Sequence, residues 1–270
     1  MISMKGVSMN GVNKTLYIPL YGKAYVSRRG IILEDKKAEE IWASEGFPLK
    51  GKSKSKWLAY YMGMRSAVFD QWLKEQMEQC PEALILHIGC GMDSRIERVG
   101  TQGHAWYDVD FPAVIAERKR YYEENDLYHM LPSDARENAW IQSLPHGQNA
   151  IIVMEGVSMY FQPEELNRLL KELSVHFQQV HLLMDCYTGF AAKASKYKNP
   201  INEMGVTKVY GVDDPNVPVA DSSLTFTKEH EITPESLIMR LKGMEKAVFK
   251  KVFAGRFANK MYRMYEYQKR

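Results

Sequence analysis

Residues able to do chemistry gather where apolar runs of this chain end. In Leu84-Ile85-Leu86-His87-Ile88-Gly89-Cys90-Gly91-Met92-Asp93 an apolar stretch passes into a glycine-bearing turn. Such a turn lets the backbone bend tightly and bring its N–H groups against a ligand. A pyrophosphate cradle of the G-x-G-x-x-G type needs a third glycine, and Ser94 stands at that position. The second run, Ala105-Trp106-Tyr107-Asp108-Val109-Asp110, closes on a carboxylate 19 residues beyond Gly91. At that spacing an acid can accept both hydroxyls of a ribose. Asp110 also stands where it would cap a helix begun at Phe111-Pro112. In Leu131-Pro132-Ser133-Asp134-Ala135 the acid follows a short strand, either facing an adenine amino group or solvated in a turn. The run Ile151-Ile152-Val153-Met154-Glu155-Gly156-Val157-Ser158-Met159-Tyr160 again places an acid and a glycine at a strand end, where the bland alternative for Glu155 is a charge facing water. Glycines without a pyrophosphate loop, a ribose acid and an adenine-side acid fit S-adenosylmethionine (SAM) better than NAD.

These residues share a rim only if the runs are neighbouring parallel strands. Apolar segments at Ala83–Ile88, Ala105–Asp110, Ala150–Glu155 and Val180–Cys186 alternate with helical patterns at Ala113–Tyr122 and Glu164–Phe177, the latter opened by Pro163 and two acids. Such alternation predicts an α/β fold with a doubly wound, mostly parallel sheet of Rossmann-like type. Residues 1–80 read differently, as an N-terminal helical cap. Ala38, Ile41 and Trp42 give one apolar face in 34–45. The lysine-rich stretch Leu49–Lys56 then feeds a helix from Trp57 to Glu78 that Pro81 ends. That basic stretch is either a lid or a solvated loop. Residues 81–270 form the core in this reading, with a turn-rich, substrate-facing insertion near 190–225 and a helical, basic, aromatic tail from Glu235.

Composition narrows the partners. Thirty-six Lys and Arg against 33 Asp and Glu leave a charge of +3, too small to argue for a nucleic acid or a membrane surface. The 270 residues suffice for one large domain or a core with a cap. Cys80, Cys90 and Cys186 form neither a disulfide framework nor a metal-ligand spacing, so no metal is expected and a reducing, cytoplasmic setting is. No run reaches the length of a membrane span.

Taken in order, Thr15-Leu16-Tyr17-Ile18-Pro19-Leu20-Tyr21-Gly22-Lys23-Ala24, Met64-Arg65-Ser66 with Asp70, the glycine turn through Arg95, Tyr107-Asp108-Val109-Asp110-Phe111-Pro112, Ser133-Asp134 and Met154-Glu155-Gly156-Val157-Ser158-Met159-Tyr160 make the chain resemble a known family. It is similar to the leucine carboxyl methyltransferase and tetracenomycin-type polyketide O-methyltransferase family of class I methyltransferases. Ser66 stands where that family usually has Thr, and Arg95-Ile96-Glu97-Arg98 replaces its Tyr-Arg pair, which leaves the subgroup open. The resemblance implies that Arg65 pairs with the methionine carboxylate of SAM, with Lys23 assisting. It implies that Gly89 and Gly91 line the methionine and ribose, Asp110 holds the ribose hydroxyls, Ser133 and Asp134 face adenine, and Glu155 meets the amino group. Tyr160, the candidate catalytic residue, would reach toward the acceptor beside Met159. Without the resemblance, Arg65 reads as a surface charge and Tyr160 as core.

The function implied is SAM-dependent transfer of a methyl group to a carboxylate or hydroxyl of a small molecule. A protein C-terminal carboxylate is the alternative acceptor. A Rossmann oxidoreductase and a non-catalytic SAM-binding module are the competing classes. A carboxylate needs no general base at neutral pH, whereas a phenol does, and His87, His104, His129 and His146 are the candidates for it.

Overall fold

A computed structural model of the chain describes residues 15–44, 49, 51–195 and 208–269. Seven strands form one sheet in the order β3-β2-β1-β4-β5-β7-β6. They are β1 (Leu84–Ile88), β2 (Trp106–Asp110), β3 (Tyr128–Pro132), β4 (Ala150–Met154), β5 (Val180–Tyr187), β6 (Thr225–Glu229) and β7 (Tyr262–Lys269). β1 to β5 pair in parallel, with Leu86 opposite Tyr107 on one side and Ile152 on the other. The chain winds outward from β1 to β3, returns to β4 beside β1 and continues to β5. The order therefore reverses between β1 and β4, and the carboxyl ends there open a crevice. Every residue of β1 and of β4 is buried. Strands covered on both faces read as continuous apolar runs, which is why these two were plain in the sequence.

The helices are α1 (Tyr17–Arg28), α2 (Lys36–Ser44), α3 (Lys56–Gln79), α4 (Arg95–Val99), α5 (Pro112–Arg118), α6 (Pro163–His176), α7 (Gly189–Ala194), α8 (Glu235–Ile238), α9 (Gly243–Val252) and α10 (Arg256–Met261). In α6, Gln162 and Glu165 make a capping box ahead of Leu166, Leu169, Leu170 and Leu173, which are all buried. α1 and α3 approach closely because glycines meet bulky side chains. A Cβ on Gly22 would lie 2.6 Å from Met62 Cβ, and one on Gly63 would lie 2.8 Å from Val26 Cγ2.

Two expectations need correction. α5 stops at Arg118 rather than running to Tyr122. The tail is helical only as far as Met261, after which β7 runs antiparallel between β5 and β6. Met264, Tyr265 and Tyr267 of β7 are almost fully buried. Its pairing with β5 is long-range in sequence, and its charged residues mask the strand's tyrosine-rich character. β6 was missed for the complementary reason: four of its five residues are exposed, so it has no apolar signature. Of the lysine-rich stretch, Gly51–Lys54 is a single 3-10 turn and Lys50 lies outside the described residues. Residues 196–207 of the turn-rich insertion also lie outside them. Residues 208–212 fold back over the sheet, where Tyr210 N–H donates to Met159 O at 2.8 Å and Val212 N–H to Tyr187 O at 2.7 Å.

Candidate active site

A cavity of about 790 Å³ opens at the carboxyl ends of the strands, and Lys23, Arg65, Gly89, Gly91, Asp110, Ser133, Asp134, Glu155 and Tyr160 all line it. Leu58, Tyr61, Met62 and Arg65 come from one stripe of α3, because positions i, i+3, i+4 and i+7 share a helix face. Residues scattered over more than 130 positions of sequence thus meet on a single wall.

The corner around Asp110 follows from strand register. Gly91 N–H donates to Asp110 Oδ2 at 2.7 Å and Phe111 N–H to Asp110 Oδ1 at 2.7 Å. A carboxylate accepts more than one hydrogen bond at each oxygen, so this acid is fixed by two backbone groups and still has lone pairs for two neighbouring hydroxyls. Burial pushes its pKa up to about 6 against the pull of those two N–H groups. Gly89 is at φ 70°, and a Cβ there would fall 2.6 Å from Val157, so only glycine lets the turn pass this close to the neighbouring strand end. Ser133 N–H donates to Asp110 O at 2.8 Å, which ties the next strand end to the same corner. Asp134 binds the Arg136 guanidinium at 2.9 and 3.1 Å, and this pair holds its carboxyl below the ordinary range in spite of burial.

At the other end lies a buried network of charges. Arg65 donates from Nε to Glu155 Oε1 and from Nη1 to Asp185 Oδ2, both at 3.0 Å. Its remaining edge, Nη2, turns toward Gly156, where a Cβ would come within 3.0 Å. Ser66 donates to Glu155 Oε1 at 2.8 Å, and Arg95 takes the other oxygen. Burial would raise the Glu155 carboxyl, but Arg65 and Arg95 outweigh it and hold the pKa at about 2. Lys23 pairs with Asp93 at 3.0 Å, and Asp93 also meets Arg95 and Arg98. Arg98 and Arg95 both reach Asp70, and Arg98 reaches Asp35. Arg65 is therefore no surface charge: it is 3% exposed, and Glu155 at 8% does not face water. The four cations Lys23, Arg65, Arg95 and Arg98 are each met by at least one acid, the arrangement a buried charge requires.

Sequence reading missed three members of this end. Ser94 and Arg95, which merely fail the third-glycine test in the sequence, are both fully buried, and Ser94 donates to Asp35 at 2.5 and 2.6 Å. Asp185 sits inside β5 and accepts from Gly156 N–H at 2.5 Å while its backbone carbonyl takes the Ser158 hydroxyl. A lone acid in the apolar run Val180–Tyr187 was the available signal.

Of the histidines, only His87 is among the described residues lining the cavity. Its Nδ1 lies 3.2 Å from Asp108 and Arg95 Nη1 stands 3.1 Å from its Nε2, so the second nitrogen accepts and the ring is neutral. Burial lowers its pKa despite Asp108. His104 bonds Ala83 O, His129 stacks on Tyr107 and His146 packs on His176. Tyr160 lines the cavity with its hydroxyl donating to Thr15 Oγ1 at 3.1 Å. Burial pushes its phenol up to about 12 although Thr15 opposes the shift, so it is a donor at neutral pH and not a base.

A sheet of this order, with a glycine turn after β1 and acids ending β2 and β4, has the donor set for an adenosyl group bearing an amino-acid tail. A family model for leucine carboxyl methyltransferase matches residues 14–174. The tetracenomycin polyketide synthesis O-methyltransferase TcmP of Streptomyces glaucescens is 26% identical over 211 residues, covering 77% of this chain and 78% of that protein. The S-adenosyl-L-methionine-dependent methyltransferase dpfgK of Gibberella zeae is 25% identical over 232 residues, with the same shares covered. In fold, the chain is similar to magnesium protoporphyrin IX methyltransferase from Synechocystis PCC 6803 with bound S-adenosylhomocysteine (SAH), at a TM-score of 0.53 and 12% identity, over 96% of this chain and 100% of that one. The chain belongs to the leucine carboxyl methyltransferase family and is a SAM-dependent O-methyltransferase of Rossmann-like fold.

Proposed function

We propose that this enzyme methylates the carboxylate of a small, flat, hydrophobic acid. The supporting observation is the unequal chemistry of the cavity wall. Part of it carries the acids and guanidinium described above. The rest includes Trp57, Phe253, Phe257, Met159 and Met261, a surface for an aromatic or otherwise flat apolar body. Of the lining groups weighed as a base, His87 is locked between Arg95 and Asp108 and Tyr160 keeps its own proton, so neither takes a proton from an acceptor. A carboxylate arrives already ionised and needs none.

In this reading Arg65 offers its Nη2 edge to the methionine carboxylate, Glu155 takes the amino group, and Lys23 keeps Asp93 neutralised beside them. Asp110 receives the ribose hydroxyls over Gly89 and Gly91, and Ser133 with Asp134 flanks the adenine. SAM supplies a methyl already activated on sulfur: the carboxylate oxygen forms the C–O bond while the S–CH3 electron pair returns to sulfur, and no proton changes hands. The protein's share is to align the oxygen with the methyl and exclude water. The helices of residues 1–80 act as the cap over the core of residues 81–270, with Tyr160 directed at the acceptor.

The test is transfer of labelled methyl from SAM to 2-naphthoate, to 2-naphthol and to a peptide with a free C-terminal carboxylate. Base-stable label in the naphthol product, or ester formed on the peptide alone, would displace the small-acid reading. Base-labile methyl ester from 2-naphthoate is the expected product.

A further inference from the structure

Four tyrosines from four separate elements converge beside Arg65 on the cavity wall: Tyr61 from α3, Tyr160 from the turn after β4, Tyr187 from the end of β5 and Tyr262 from the start of β7. The charge of Arg65 is felt by Tyr160, Tyr187 and Tyr262. The Tyr262 ring lies 5.8 Å from that of Tyr61 and 4.8 Å, edge-on, from that of Tyr187. Tyr262 donates its hydroxyl to Tyr187 at 3.2 Å, and Tyr160 donates to Thr15. The Tyr61 hydroxyl is different. It is buried on a residue only 6% exposed and has no hydrogen-bond partner among the described residues. A buried phenol normally finds a partner, and leaving one unmade costs about 1 to 3 kcal/mol.

We infer that Tyr61, together with the Tyr187–Tyr262 pair, anchors the reacting carboxylate of the acceptor through neutral hydroxyl donors. The inference rests on the carboxylate reading above and adds the residues that select the acceptor. Lys23, Arg65 and Arg136, which also line the cavity, each face a carboxylate of the protein already. An acceptor held by tyrosine hydroxyls keeps its negative charge on oxygen, whereas a tight ion pair would draw that charge away from the methyl. Placement along the chain agrees. The residues assigned to the cofactor all lie within the segment 14–174 shared with the family, while Tyr187 and Tyr262 lie beyond it. The acceptor site thus joins Tyr61 of the shared segment to Tyr187 and Tyr262, which that segment does not cover.

The experiment is calorimetric binding of benzoate, 2-naphthoate and anthracene-2-carboxylate to the SAH-loaded protein, with methyl 2-naphthoate as the neutral control. At least one acid should bind the wild type. Tyr61→Phe and Tyr262→Phe should each weaken it about tenfold or more, leave SAH affinity unchanged, and leave binding of the methyl ester unchanged. In turnover the same variants should raise KM for the acid more than KM for SAM. Unaltered affinity for the acid in both variants overturns the inference, as does loss of SAH affinity in step with the acid or failure of all three acids to bind. If SAH itself does not bind the wild type, the cofactor assignment fails instead. If an acid binds in a tyrosine-dependent way but is not methylated, the tyrosines hold a carboxylate that does not react, and the carboxylate reading of the reaction fails with the assignment.

Discussion

Arg65 is anchored on two edges by Glu155 and Asp185, with Nη2 turned toward Gly156. A guanidinium so held is pre-aimed, and the cost of ordering it falls on folding rather than on binding. Arg65→Ala should weaken SAH binding about 10- to 100-fold, the range for a hydrogen bond to a charged group. It should also destabilise the protein, because two buried acids lose their partner. Arg65→Lys separates the two effects, restoring charge and much of the stability but not the planar fork, and isothermal calorimetry with thermal unfolding reads both. Asp110 makes a different prediction, since its pKa is raised to about 6 and the carboxylate is the form that accepts hydroxyls. SAH affinity should climb between about pH 5 and about pH 7 and then level, and Asp110→Asn should flatten that climb. In the ligand-free protein the sign reverses: the raised pKa costs stability at neutral pH and is relieved as pH falls below about 6. Asp110→Asn removes that pH dependence, so by urea unfolding the wild type should gain stability relative to the variant as pH falls below about 6.

Elements set the distances between these residues. α1 carries Lys23 and α3 carries Arg65, and the two helices lie close because Gly22 meets Met62 and Gly63 meets Val26. Gly22→Val should force them apart at a cost of about 1 to 3 kcal/mol, the usual penalty of overpacking. Lys23 should then move off Asp93, so a lower melting temperature should come with a weaker SAH affinity. Gly30→Ala is the control: its Cβ would meet nothing within 4 Å, although its φ is 60°, so it should cost stability without touching SAH affinity. β7 works at the same scale, since its antiparallel course along β5 brings Tyr262 beside Tyr187.

Across the whole molecule the buried charges join the N-terminal helices to the sheet: Lys23, Asp35, Arg65 and Asp70 come from the first 80 residues, and Asp93, Arg95, Arg98, Glu155 and Asp185 from the rest. Glu155 and Asp108 are held at about 2, each against its own burial, by Arg65 with Arg95 and by Arg118 with His87 respectively. In the unfolded chain such carboxyls protonate near pH 4. The stability they confer is complete above roughly pH 5 and drains away as pH falls toward about 2. Urea midpoints should drop steeply through that window, and Glu155→Gln should show a shallower drop from a lower starting point.

How much of this was legible before folding depends on whether the signal is local. The glycine turn, the acid ending β2 and the Glu-Gly step after β4 are local signatures, because strand, turn and helix start are written in adjacent residues and parallel strands repeat them at fixed ends. They marked the parallel strands, the polar residues at their carboxyl ends and the family resemblance. Arg95, Asp185, the partners of Arg65 and the tyrosine group were decided by tertiary structure alone. A buried charge is identified by what neutralises it, and those partners come from segments up to 120 residues apart. β7 and Tyr262 belong with them, since antiparallel pairing with β5 leaves no periodic mark of its own in a sequence dominated by the helices before it.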